Sequence, residues 1–271
     1  MGMEVKTMHI IKAWEEQCNI FLLNLPLIGQ APGNENIHDF RVAVKHMRSY
    51  LNIMEALTGQ NWREKFEGIR QIFSITGEQR EWEISLSMLS KRGIKEQDGY
   101  KELYQFLERN FGHAVFRSRQ AALDFDAAQL QTVTSIFKGS WETWNEKKIR
   151  KGICRYTGKL LGKVRKQAND LDQHAHRVRK LVKELLYSAE IFPDCLPETG
   201  VNLLALEQLQ EGLGRWQDHK VLLNSIRTFR KAYCVKKSTE YHYVKMLEKK
   251  TKRKMEKLLS SSGTFLHQIL P

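Results

Sequence analysis

Proline is nearly missing from this chain, with 5 in 271 residues, and long stretches pass without glycine. Nothing of strand length alternates Val, Ile or Thr with polar residues, so β-sandwiches, barrels and βαβ units are not expected. The four cysteines, Cys18, Cys154, Cys195 and Cys234, lie far apart without a C-x-x-C pair. On that spacing neither a disulfide framework nor a zinc site is expected, and a reducing cytosol is the natural setting. No apolar run approaches the length of a membrane span. Met1–Trp14 carries Glu4, Lys6 and Lys12 but no signal-peptide core. Enzyme signatures are missing too: there is no G-x-S-x-G, no H-E-x-x-H and no clustered carboxylate set. The run from Gly152 to Lys159 has phosphate-loop elements at the wrong spacing, and Leu160 stands where Ser or Thr would hold magnesium. A non-enzymatic protein without cofactor or metal is expected.

What remains is helical and basic. Hydrophobic residues make up 41% and charged residues 28%, a balance that fits a globular protein with a full core. The net charge of +13 is uneven. Residues 1–139 hold 17 bases against 17 acids, so the excess falls in the second half. That asymmetry points to an anionic partner.

Within Ile37–Arg48, the residues His38, Arg41, Lys45 and Arg48 fall at i, i+3, i+7 and i+10, one cationic stripe along a helix. Like charges stacked on one face repel. A helix that tolerates them faces a polyanion or open water. The spacing returns at His176, Arg179 and Lys183, with Lys180 beside them. Each stripe is followed by a related segment, Gly77-Glu78-Gln79-Arg80-Glu81 and Gly214-Arg215-Trp216-Gln217-Asp218. His38 and His176 are 138 residues apart, and Gly77 and Gly214 are 137 apart. Landmarks sharing an offset read as an internal duplication.

The pattern H-x-x-R-x-x-x-K-x-x-R, followed some forty residues on by G-x-x-R/Q-D/E and repeated, resembles the CHAD family, the conserved histidine α-helical domain. The resemblance spans roughly residues 4–259. It implies an all-α fold of two four-helix bundles related by a pseudo-twofold axis, with basic helices lining a central groove or pore. It also implies non-catalytic binding of inorganic polyphosphate. One departure is visible, Leu186 at the place matching Arg48. The division expected is 1–139 for the first bundle and 140–271 for the second, together one CHAD domain.

Helices are predicted at about 4–24, 37–57, 61–91, 98–120, 141–168, 171–191, 202–231 and 238–259. Residues 121–139 read as a connector with room for a short helix, and Ser260–Gly263 as a loosely ordered tail. The helix at 141–168 carries a second cationic line: Lys148, Lys151, Arg155, Lys159, Lys163 and Lys166. Its steps of three and four hold one face over roughly 27 Å. On the family pattern this line flanks His176, Arg179 and Lys183. Gly152, Gly158 and Gly162 inside it each cost about 1 kcal/mol against Ala, which a closely approaching helix or anion would offset.

Polyphosphate suits such stripes. It offers repeated negative charge and no base or ring, so a receptor needs only spaced Arg and Lys. Counterion release would drive binding, by analogy with nucleic acids. The expected contacts are His38, Arg41, Lys45, Arg48, Lys148, Lys151, Arg155, Lys159, Lys163, His176, Arg179, Lys180 and Lys183. His38 and His176, crowded by bases, are expected to be neutral when the site is empty and to charge against phosphate. Binding would then tighten from about pH 7.5 to 6. Glu81 and Asp218 are expected to orient bases by pairing rather than to touch an anion. Two rivals stand beside this reading. Trp141, Trp144, Tyr156, Trp216 and Tyr233 are stacking candidates for an RNA binder, and the basic last helix could serve a protein-interaction scaffold. The expected location is cytoplasmic, at polyphosphate granules, with no membrane attachment.

Overall fold

The structure is a computed structural model, which describes residues 2–28, 35–62, 64–91, 93, 98–142, 144–192, 195 and 200–269. Among them are the helices α1 (Gly2–Asn24), α2 (Glu35–Thr58), α3 (Glu67–Ser90), α4 (Lys101–Leu123) and α5 (Ala127–Glu142). The second half supplies α6 (Glu146–Ala168), α7 (Leu171–Ile191), α8 (Leu203–Ala232) and α9 (Thr239–Ile269). No strand occurs among the described residues. The all-α expectation holds.

Local chemistry sets the helix ends. Asn145, Asp170 and Asn202 cap α6, α7 and α8, each side chain accepting an N–H of the first turn. At the end of α2, Gly59 takes φ +72 and its N–H reaches the Glu55 carbonyl at 2.8 Å. Glycine adopts that left-handed geometry at little cost. Of the two asparagines that the sequence offers as a cap for α2, Asn36 lies within the helix and Asn34 outside the described residues, as do Pro193 and Pro197 after α7.

Chain neighbours pack in pairs, α1 with α2, α3 with α4, α6 with α7 and α8 with α9. Their apolar faces build three clusters. The first joins α1, α2, α5 and the start of α3 around Trp14, Phe40, Met54 and Phe137. The second joins α6, α7, the first half of α8 and the end of α9 around Val164, Val178 and Leu209. The third lies where the long α3–α4 and α8–α9 hairpins meet, with Leu89, Phe106, Leu222 and Phe229. There Ser85 and Ser225 place their buried hydroxyls 3.2 Å apart.

Three expectations are corrected. Residues 121–139 contain a full helix, because Leu130, Val133, Phe137 and Trp141 form an i, i+3, i+7, i+11 face that closes the first core. Gly139, the expected boundary, falls inside it, and Ile149 and Ile153 of α6 join the same core. Residues 260–263 are helical, since Leu259, Leu266 and Ile269 continue an apolar face onto the second cluster. The hydroxyls of Ser261 and Ser262 bond back to carbonyls of their own helix. Finally, Cys154 and Cys195 form a disulfide, leaving Cys18 and Cys234 free. Spacing gave no hint of that pair, which the packing of α6 against the chain after α7 creates. It removes the ground for expecting a reducing compartment.

Candidate functional site

Where α2 lies against α7, the two stripes meet. Lys45 is half-buried, and the charges acting on it are Lys183 and Arg179 from α7 and Arg41 and Arg48 from its own helix. Lys183 in turn feels Arg179, Arg41 and Arg48. Five cations thus share one cleft. Burial, reinforced by these neighbours, pushes Lys45 down to about 7. Burial pushes Lys183 down to about 8, with Asp218 opposing. Both shifts come first from burial, with the neighbouring cations adding to it.

Arg41 and Arg179 each lie beside the second motif of their own half. Arg41 donates through Nη1 to the Phe73 carbonyl and, at 3.1 Å, to the Thr76 hydroxyl. Its guanidinium carbon lies 4.0 Å from the centre of the Phe73 ring. Burial lowers Arg41 to about 10, with Glu81 opposing. Gly77 faces the guanidinium so closely that an added Cβ would stand 3.2 Å from Nη1. In the other half, burial lowers Arg179 while Asp218 opposes. Asp218, itself raised by burial, is opposed by Arg179, Arg80, His219 and Lys183. Glu81 and Asp218 therefore act electrostatically on Arg41 and Arg179. Arg80 pairs with Glu83 at 2.6 Å. The buried Nε of Arg179 has no hydrogen-bond partner, an unfulfilled donor inside a cationic cleft.

The histidines differ. His38 is exposed, with Nδ1 3.1 Å from its neighbour Asp39. His176 meets Gln217 across the α7–α8 contact, Nδ1 to Oε1 at 3.1 Å. Burial lowers its pKa; Gln217 opposes, and Lys180, Lys220 and Arg179 add to the lowering. Gln217 was not foreseen as its partner.

The rest of the expected set divides. Arg48 and Lys180, both exposed, and Lys163 of α6 line a cavity of about 790 Å³ beside the cleft. Lys148, Lys151, Arg155 and Lys159 are exposed on the side of α6 away from Ile149, Ile153 and Leu160, and none is among the charges acting on Lys45 or Lys183. Leu186 packs against the second core, so the α7 stripe ends in an apolar contact where α2 has Arg48.

Several residues between the stripes carry no motif. Glu184 accepts hydrogen bonds from Ser49 at 2.9 Å and Tyr156 at 3.0 Å, joining α2, α6 and α7. His46 stacks near Tyr187, with ring centroids 4.2 Å apart, and its Nδ1 is 3.4 Å from Glu190. Burial, then Lys45, pushes His46 down to about 4. Only the crossing of α2 and α7 brings these groups together. Among the described residues no group of three His, Cys, Asp or Glu could hold a metal ion, and no helix is long and apolar enough to cross a membrane.

This is an all-helical protein whose two basic helices face one another across a cationic cleft. The profile of the CHAD domain matches residues 12–227, and the chain belongs to that family. Among solved structures it is similar to the crystal structure of the CHAD domain from the plant Ricinus communis. That likeness has a TM-score of 0.76 at 18% identity and covers 97% of this chain and 92% of that one. No functionally curated protein matches.

Proposed function

We propose that this CHAD protein binds inorganic polyphosphate without catalysis, holding it in the cleft between α2 and α7. The observation that supports the reading is the five-cation cluster of Arg41, Lys45, Arg48, Arg179 and Lys183, in which burial first and the neighbouring cations second lower both lysines. Such a cluster is offset by a ligand of dense, repeated negative charge and few other features. Arg41 is engaged by Phe73 and Thr76, so it sets the field and the shape. Lys45, Arg48, Arg179 and Lys183 grip the chain. His38, His176 and Lys180 extend the contact along the cleft, Lys163 lines the cavity beside it, and Lys148, Lys151, Arg155 and Lys159 form an outer track reached only by longer polymers.

The chain is read as a duplicated unit folded about a pseudo-twofold axis. His46 and Glu184 stand 138 residues apart, as do Ser49 and Tyr187. The contacts His46–Tyr187 and Glu184–Ser49 exchange under that offset, the reciprocity an isologous packing produces. Lys45 and Lys183 share the same offset, so such an axis sets a lysine beside its own copy.

The RNA reading has less support: Trp141 and Trp216 are core, Trp144 packs against the first core and Tyr156 is bonded to Glu184, while Tyr233, stacked on Phe229, keeps an exposed face. Residence at polyphosphate granules follows from the ligand. So does the cytoplasmic placement, which no longer has support from the cysteines. A gel shift with defined polyphosphate lengths over a salt series is the test. Binding that weakens log-linearly with salt, and polyphosphate displacing labelled RNA at equal phosphate, is expected; RNA displacing polyphosphate would overturn the assignment.

A further inference from the structure

The cavity beside the cleft does not look like a site for an inorganic phosphate chain. Its wall follows α2 from Arg48 to Gly59, then takes in Trp62 and Phe66, with Tyr156 and Leu160 of α6 and Leu181 of α7 opposite. Trp62 and Phe66 are 3% and 2% exposed. The indole N–H of Trp62 is buried without a hydrogen-bond partner. Two carboxylates, Glu55 and Glu184, also line the space. A bare phosphate polymer would meet apolar walls it cannot use and acids that repel it. At about 790 Å³, the cavity falls within the size range of small-molecule sites, which combine apolar walls with a few placed polar groups.

The cations say what else the occupant carries. Arg48, Arg70, Lys163 and Lys180 line the same space. Arg48 also acts on Lys45 and Lys183, so cavity and cleft share a cationic boundary. The fitting ligand has a planar apolar body and a chain of phosphates that continues toward the cleft. We propose that this cavity is a nucleoside-polyphosphate subsite, its Tyr156 wall taking the base while Arg48, Lys180 and Lys163 lead the phosphates to the α2–α7 stripes. The inference rests on the cleft being a phosphate-chain site and adds the class of end group that the neighbouring cavity accepts. A free nucleotide and a nucleotide-capped polyphosphate share that chemistry, and chain length separates them.

The test compares ATP, inorganic tripolyphosphate and long-chain polyphosphate by titration calorimetry on the full chain. Esterification removes a charge, so electrostatics alone ranks tripolyphosphate above ATP. The subsite reverses that order, with ATP tighter by about tenfold, the scale of one base stacked on an aromatic wall. Ala56 lines the cavity from an exposed position on α2, so Ala56→Trp fills the space without disturbing a core. With the melting temperature unchanged, Ala56→Trp should abolish the ATP advantage and leave tripolyphosphate within about twofold. If Ala56→Trp melts early, Lys163→Ala, at an exposed rim position, gives the second reading, weakening ATP more than long-chain polyphosphate. ATP no tighter than tripolyphosphate, or an ATP affinity indifferent to both substitutions, overturns the subsite and leaves the cleft standing. Failure of all three ligands overturns the cleft assignment and the subsite with it.

Discussion

A methyl group placed on Gly77 would stand 3.2 Å from Nη1 of Arg41, a guanidinium already fixed by the Phe73 carbonyl and the Thr76 hydroxyl. The glycine that opens the second motif is thus the space the first motif's arginine occupies. Inside a helix, Gly→Ala ordinarily stabilises by about 1 kcal/mol. Gly77→Ala should forfeit that gain, because Arg41 cannot yield without losing its acceptors. In an Arg41→Met background, Gly77→Ala should recover about 1 kcal/mol. Urea midpoints for the four proteins of this double-mutant cycle check it, and additive effects would mean that the two residues are uncoupled.

Arg179 and Lys183 share a cleft with Lys45, while Lys151 and Arg155 face solvent on α6. The charge excess of the second half, taken by itself, ranks Lys151→Glu or Arg155→Glu as the most damaging reversals. The exposure of both side chains argues for the opposite order. Arg179→Glu with Lys183→Glu should weaken binding of a short polyphosphate by at least about tenfold, as for other desolvated charge contacts. Lys151→Glu with Arg155→Glu should cost a short chain under about threefold and act mainly on longer ones. Fluorescence anisotropy with two polymer lengths separates the cases, and equal losses at both sites for the short chain would refute the ranking.

The stripes were legible because helical periodicity places i, i+3 and i+7 on one face whatever the tertiary contacts are. Several helix limits came out within a few residues for the same reason, as at α7 (Leu171–Ile191), whereas α9 runs on to Ile269, well past the expected end at 259. What could not be read depends on packing. The apolar face of α5 is diluted by polar residues and interrupted by Gly139, and it becomes a helix because the first core has a gap to fill. Ser260–Gly263 has the composition of a tail and becomes helix because Leu266 and Ile269 beyond it find the second core. Glu184 carries no motif at all, yet its bonds to Ser49 and Tyr156 tie α7 to α2 and α6.

Acidity in the cleft sets a pH dependence different from that of histidine. Lys45 and Lys183 titrate near 10.5 as ordinary lysines and near 7 and 8 in the folded chain. Between those limits the unfolded chain holds protons that the empty folded protein has released, so the free protein gains stability as pH rises through about 7 to 10. Binding runs the other way, since a polyanion favours the charged lysines. Affinity should therefore fall from pH 7 upward, with net proton uptake on binding. His176 is shifted lower by burial and adds to affinity at the acid end. Calorimetry in buffers of different ionisation enthalpy counts the protons. Lys45→Arg, which keeps its charge, should bind with a smaller uptake, and an unchanged count would rule out Lys45 as the acceptor.

The three glycines of α6 divide by what surrounds them. A Cβ at Gly152 would collide with Leu57 of α2, whereas at Gly158 and Gly162 it would meet nothing within 4 Å. Gly152→Ala should destabilise by roughly 1–3 kcal/mol, the scale of overpacking. Gly158→Ala and Gly162→Ala should each stabilise by up to about 1 kcal/mol. The same pair tests the outer track. If a long polymer runs along Arg155 and Lys159 against the backbone, the added methyls weaken long-chain binding while raising the melting temperature. Unchanged long-chain affinity confines the polymer to side-chain contacts.

The disulfide between Cys154 and Cys195 spans 41 residues and encloses the whole of α7 with its stripe. Chain-entropy reasoning gives such a loop about 4 kcal/mol of stabilisation, an upper figure because the denatured chain keeps some structure. Alkylation of the unreduced, denatured protein should label Cys18 and Cys234 only. Cys154→Ser should lower the urea midpoint, and adding a thiol reductant to that variant should change nothing further. The native protein should lose the same stability when reduced. Because the bridge joins the segment after α7 to the middle of α6, its loss should loosen the C-terminal end of α7 before the Arg179–Lys183 turn. Hydrogen exchange would then rise first near Ser188 and Ala189. Uniform exchange along α7 after reduction would show that the helix is held by the packing of Val178, Val182 and Leu185 alone.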